Sequence, residues 1–154
     1  MNGGALRLRR AVEKHRVISL DTAPLIYFIE DLTPYADLVE PVFGLLENHS
    51  LRAVTSAVTI AEILTKPFAD KNFALADEIK FALKSFSALT VASVDEKLAE
   101  AAALVRARYA IRLPDAVQVA AAIQGEATLF LTNDKRAKKV DEVEVLVLSD
   151  FLQG

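Results

Sequence analysis

The sequence predicts an α/β fold in which a mostly parallel five-stranded sheet is covered by helices on both faces. Three observations lead there. Five short, mostly apolar runs, at residues 17–20, 51–54, 89–92, 128–132 and 143–148, have the length of strands buried on both sides. Longer segments with apolar residues at helical spacing separate most of them. Helix-start residues (Pro24, Ser56, Pro114) recur where those segments begin. Alternating strands and helices of this kind build a parallel sheet.

In chain order, residues 17–20 form the first strand, and residues 22–30 a short helix that tolerates Pro24 in its first turn. Residues 35–48 carry Leu38, Val42, Leu45 and Leu46 on one helical stripe, which Pro41 should break or kink, so that the helical part begins there. Residues 51–54 are the second strand, and Thr55 or Ser56 caps a helix that runs to Thr65 and is closed by Lys66-Pro67. Phe73, Ala76, Ile79, Leu83 and Phe86 mark another helix before the third strand at residues 89–92. Ser93 and Glu96 have capping-box spacing ahead of Leu98, Ala102, Val105 and Tyr109. Pro114 opens a helix to about Gly125, and the basic run at residues 135–139 separates the last two strands.

The chain has 154 residues, 53% hydrophobic and 25% charged, which excludes a disordered tail and fits one well-filled domain. No apolar run reaches the roughly 18 residues of a membrane span. Cysteine is absent and only His15 and His49 are present, which removes thiolate chemistry and zinc–sulfur sites and fits a reducing, cytoplasmic setting. Residues 1–16 hold five basic side chains against Glu13, a net +4, whereas the remainder holds 13 basic and 20 acidic residues, a net −7. The basic start lacks the apolar stretch of a secretion signal; a solvated extension, an amphipathic helix and a nucleic-acid-contacting arm all fit it, the solvated extension best. An acidic body does not grip phosphates by bulk charge, so a nucleic-acid role requires a local site.

Right-handed crossovers put every strand's carboxyl end on one edge, where ligands of such sheets bind. Asp21 directly follows the first strand, Asp134 follows the fourth with Asn133 between, and Asp115 lies in the first turn opened by Pro114. Glu62 sits six residues after Ser56, and its long side chain leans toward the helix start. Singly, each has an ordinary use: a cap for Asp21 and Asp134, dipole complementation for Asp115, a solvated helix face for Glu62. Jointly they crowd one edge. Two unit charges about 4 Å apart repel by roughly 4 kcal/mol at an effective dielectric near 20, so the cluster calls for a cation. Hard oxygen donors select Mg²⁺ or Mn²⁺, ions that work on phosphates.

Asp21-Thr22 after a buried strand, Ser56-Ala57-Val58-Thr59-Ile60-Ala61-Glu62, Leu113-Pro114-Asp115-Ala116 and Leu131-Thr132-Asn133-Asp134 resemble, in order and spacing, the four motifs of PIN-domain nucleases, and most closely those of VapC-type toxins. The resemblance runs from about Val17 to Leu152, which divides the chain into a basic N-terminal extension (1–16) and a PIN-like nuclease domain (17–152). It implies a three-layer α/β/α sandwich and Mg²⁺- or Mn²⁺-dependent hydrolysis of RNA. Asp21, Glu62, Asp115 and Asp134 would then be both the catalytic and the metal-binding acids, Thr132 would orient a carboxylate or water, and Asn133 would support the metal shell. It further implies a homodimer and a VapB-like antitoxin as partner. Ala137 stands where an aromatic often follows the last acid. Arg112, Lys135 and Arg136, with Arg108, Lys138 and Lys139, are the cations nearest these motifs and candidates for holding RNA phosphates, although exposed charge is their default meaning.

Two other readings compete. One is a PIN-like binding or regulatory module without turnover. The other is a phosphotransfer domain, which fits poorly: position 23 is Ala where a phosphatase wants a second Asp, and Asp95 is the one phosphoacceptor candidate near the third strand. His15 and His49 have no partner by spacing and receive no catalytic role.

Overall fold

A computed structural model describes residues 1–152. Its order is α1 (Gly3–Val12), β1 (Val17–Leu20), α2 (Thr22–Ile29), α3 (Tyr35–Glu47), β2 (Arg52–Ser56), α4 (Ala57–Ala69), α5 (Phe73–Ser85), β3 (Leu89–Ala92), α6 (Glu96–Tyr109), α7 (Leu113–Gln124), β4 (Leu129–Thr132) and β5 (Glu144–Val147). Short 3-10 turns at Lys135–Lys139 and Leu148–Phe151 follow β4 and β5. All five strands are parallel, in the order β3-β2-β1-β4-β5. The chain grows outward from β1 through β2 to β3, then crosses back to place β4 on the other flank of β1. That reversal makes the carboxyl ends of β1 and β4 the topological switch point, where open α/β sheets bind ligands.

The strands are buried on both faces, which accounts for their lack of polar alternation. In β4, Leu129 and Leu131 join the core beneath α1–α5, whereas Phe130 joins the core beneath α6 and α7. Ile18 and Leu20 of β1 side with Leu129 and Leu131. Two helical layers therefore sandwich one sheet, as the α/β reading expects.

Several local expectations are corrected. Pro41 does not start α3, which runs through it from Tyr35; buried Leu38, Val39, Val42 and Phe43 on either side hold the helix together despite one missing backbone hydrogen bond. Pro67 likewise lies inside α4 and is buried, so the helix continues to Ala69. The cap of α6 is Asp95, whose carboxylate accepts from the Leu98 amide at 2.8 Å, rather than Ser93. Of the three forms open to the basic start, residues 3–12 adopt the amphipathic helix and not the solvated extension. Ala5, Leu8 and Val12 are buried against the core, and Arg7 and Arg10 are exposed. Gly4 permits this docking: a Cβ there would lie 2.1 Å from the Phe151 carbonyl oxygen. Arg7 donates to that same oxygen at 3.1 Å. His15 fastens the following link, hydrogen-bonding Thr128 Oγ1 at 2.7 Å and Glu144 Oε2 at 2.8 Å.

Among the described residues no helix is long and apolar enough to cross a membrane.

Candidate active site

The site starts from the backbone. The Asp21 amide donates to the Leu131 carbonyl at 3.0 Å, extending the β1–β4 pairing one residue beyond β1. Asp21 is the N-cap of α2, its Oδ1 accepting from the Thr22 amide at 2.9 Å, which leaves Oδ2 turned toward β4. There Thr132 Oγ1 donates to it at 2.7 Å. The same hydroxyl accepts from the Asp134 amide at 3.0 Å. Thr132 thus links two acids from segments more than a hundred positions apart in sequence.

The other two acids come from helices flanking that junction. Ser56 caps α4 by accepting from the Val58 amide at 3.3 Å, which sets Glu62 on the second turn. Pro in the first turn of α7 places Asp115 near its start. Asp21, Glu62, Asp115 and Asp134 together line one open cleft of about 450 Å³, along with Thr22, Tyr27, Arg112, Asn133 and Arg136. All four sequence-chosen acids are therefore brought to one place. Asp21 and Asp134 also serve as caps, the ordinary use expected of them.

Their environments differ. Burial pushes the Asp21 carboxyl above its ordinary range; hydrogen bonds from Thr132 and Thr22 oppose this, and the neighbouring Asp115 and Glu62 charges add to it. Asp134 is held below the ordinary range by hydrogen bonds from Arg136, whose Nε reaches Oδ1 at 3.0 Å and whose Nη2 reaches Oδ2 at 2.8 Å. Arg112 Nε donates to Asp115 Oδ2 at 3.0 Å, while its Nη2 stands 3.9 Å from Asp134. With those oxygens turned to guanidiniums, no group of three or more acidic or imidazole side chains among the described residues is drawn around a single ion position. The donor set is nonetheless all hard oxygen, and the burial and acidic neighbours that raise the Asp21 carboxyl are what a bound cation would offset. Both features fit a divalent cation that would replace the arginines on Asp115 and Asp134.

Other expected cations fall elsewhere. Arg108 pairs with Glu142, which also accepts from the Tyr109 hydroxyl at 3.1 Å, and so does not line the cleft. Lys138 pairs with Asp150 at 2.7 Å. Lys135 is exposed and does not line the cleft, its charge acting on Asp150 instead. Asn133 lines the cleft, but its side chain braces rather than points at the acids: Nδ2 donates to the Tyr27 hydroxyl at 3.0 Å and Oδ1 accepts from the Ser149 amide at 3.0 Å.

Beneath the acids lies a buried polar cluster that sequence reading missed: Thr22, Thr55, Ser56, Thr59 and Gln118. Thr22 Oγ1 donates to Glu62 Oε1 at 3.0 Å. The available signal was a glutamine inside the apolar stretch of α7, one helical turn beyond Asp115.

Comparison with known proteins bears on the fold and the family. No curated protein matches the chain. Among solved structures, a chain in VapBC2 from Rickettsia felis bound to a DNA fragment from its promoter aligns with TM-score 0.64 and 18% identity, covering 85% of this chain and 98% of that one. DNA-bound VapBC from Salmonella typhimurium gives 0.64 and 19%, covering 86% and 98%. A toxin–antitoxin complex from Klebsiella pneumoniae gives 0.64 and 18%, covering 85% and 97%. At such identities the likeness establishes a shared fold. The PIN domain family itself matches residues 18–143, a span that contains all four acids, and the chain belongs to that family.

Proposed function

We propose that this chain is a Mg²⁺- or Mn²⁺-dependent endoribonuclease acting as the toxin of a toxin–antitoxin pair. The observation that carries the reading is the convergence of four carboxylates, from four separate segments, on one cleft at the sheet's switch point. Asp21, Glu62, Asp115 and Asp134 would hold the ion, which when bound supplies Lewis acidity toward a phosphate and an activated water. Thr132 fixes the Asp21 carboxylate by its 2.7 Å hydrogen bond and so fixes the floor of the cleft. Arg112 and Arg136, released from Asp115 and Asp134, have guanidiniums free to hold phosphates of the RNA by paired hydrogen bonds. The likeness to VapBC complexes supports a VapB-like antitoxin as partner. A homodimer in the cytoplasm accords with the same assignment.

A second reading, a PIN-like binding module without turnover, draws on the arginine pairing that occupies Asp115 and Asp134. One experiment separates them: incubation of the purified protein with a mixed RNA pool. The nuclease reading expects cleavage that EDTA stops, that Mn²⁺ restores and that Asp21→Ala abolishes while circular dichroism shows an unchanged fold. Cleavage that survives either chelation or Asp21→Ala overturns it, and RNA binding without cleavage supports the module.

A further inference from the structure

Gln118 is 1% exposed, in the middle of a helix whose other buried residues are Ala and Val. Leaving a buried amide without partners is costly, so its hydrogen bonds explain its presence. Its Oε1 accepts from Ser56 Oγ at 2.8 Å. Its Nε2 donates to Thr59 Oγ1 at 2.6 Å and reaches Thr22 Oγ1 at 3.4 Å. Thr59 Oγ1 also lies 2.8 Å from Thr55 Oγ1 and 3.1 Å from Thr22 Oγ1.

Donor counting gives this cluster a direction. A carboxylate only accepts, so the single proton of Thr22 goes to Glu62 Oε1. The Thr22 oxygen must then accept from Thr59 across the 3.1 Å contact. Thr59, having given its proton to Thr22, accepts from both Gln118 and Thr55. Every hydroxyl is thereby used once as donor, and the chain runs Thr55, Thr59, Thr22, Glu62, with the Gln118 amide feeding its two inner members. Polarised in one sense, such a chain strengthens its terminal bond. It also joins β2, α2, α4 and α7 behind one wall of the cleft.

We propose that Gln118, acting through Thr59 and Thr22, is a positioning residue that sets the orientation of the Glu62 carboxylate toward the divalent ion. The inference rests on the nuclease reading above, and it assigns Gln118 and Thr22 no contact with substrate. Groups that orient a metal ligand from behind typically contribute about ten- to a hundredfold to metal affinity.

Mn²⁺ titration calorimetry on the full chain without RNA tests this. Thr22→Val keeps the shape and removes the hydroxyl; it should weaken Mn²⁺ binding about tenfold, and Thr22→Ser should restore it. Gln118→Leu should weaken binding comparably if it folds, and Thr22→Val gives the answer if it does not. In a Glu62→Gln background, Thr22→Val should change the affinity by less than about twofold, because the carboxylate it orients is gone. Thr22→Val binding Mn²⁺ as tightly as the unmodified chain, or Thr22→Ser binding as weakly as Thr22→Val, would overturn the inference and leave the nuclease reading standing. An unmodified chain that binds no Mn²⁺ would overturn both.

Discussion

On the α4 side of the cleft, Glu62 takes its hydrogen bond from a buried hydroxyl backed by further buried polar groups. On the side formed by α7 and the end of β4, Asp115 and Asp134 are gripped by arginines whose side chains are 64% and 60% exposed. The first arrangement has no competitor: no solvent ion can replace a buried threonine. The second is exchangeable, because exposed ion pairs contribute only about 0–1 kcal/mol and an arriving cation competes for the same oxygens. On the nuclease reading, a cleft with one fixed wall and one adjustable wall would hold its acids without metal and still admit an ion.

The contrast is easiest to break at Asp21, which lies between the two walls and is held by the buried Thr132 hydroxyl. Asp21→Asn should lower the RNA cleavage rate at least about a hundredfold, read in a gel assay with Mn²⁺ present. Retention of most of the rate would remove the acids from the chemistry. The next largest effect concerns stability. Gln118→Leu strips partners from Ser56, Thr59 and Thr22 and should cost about 2 kcal/mol in urea unfolding, whereas Arg136→Gln, at an exposed ion pair, should cost much less. Equal costs would erase the distinction between the walls.

Acidity separates the two sides by sign. Burial raises the Asp21 carboxyl, so in metal-free protein the folded state keeps a proton that the unfolded chain has released. The Asp21 contribution to stability is complete below the ordinary carboxylate range and falls as pH rises through the raised value, by at most about 1.4 kcal/mol per pH unit. Asp134 is lowered by Arg136, so its contribution is present above the ordinary range and is lost as pH falls through the lowered value. Urea midpoints measured from about pH 3 to pH 7 should show a slope that Asp21→Asn flattens, and Arg136→Gln should remove only the acid-side loss. The smallest effect is on ion uptake. Arg136→Gln frees Asp134 and should tighten Mn²⁺ binding by up to about fivefold in calorimetry; weaker binding would show that the arginine assists the ion instead of competing with it.

The acids were legible because strand exits and helix starts are local signals, and the parallel topology alone carries them to one edge. Strands β1 and β3 were legible in full, being short apolar runs between clear turns. What escaped was settled by contacts distant in sequence. Pro41 and Pro67 mark helix breaks locally, yet both helices continue because packing outweighs one lost bond. His15 finds partners at Thr128 and Glu144, more than a hundred positions away, which no spacing rule anticipates. Gln118 reads locally as one polar residue in an apolar run; only the meeting of α7 with β2, α2 and α4 gives it three neighbours to bond. Arg136 was legible as a cation beside Asp134, but its hold on that carboxylate depends on the 3-10 turn that folds it back.

The close passage of Gly4 against the Phe151 carbonyl joins the first helix to the last turn. The polypeptide is thereby shut like a clasped bracelet, and fraying at one extremity must undo the other. Amide protons of Leu6 and Leu8 should therefore exchange with deuterium in step with those of Leu148 and Phe151, as one cooperative opening. Gly4→Ala, which forces a methyl group onto that oxygen, should speed both sets alike while the β1–β4 pairing stays protected.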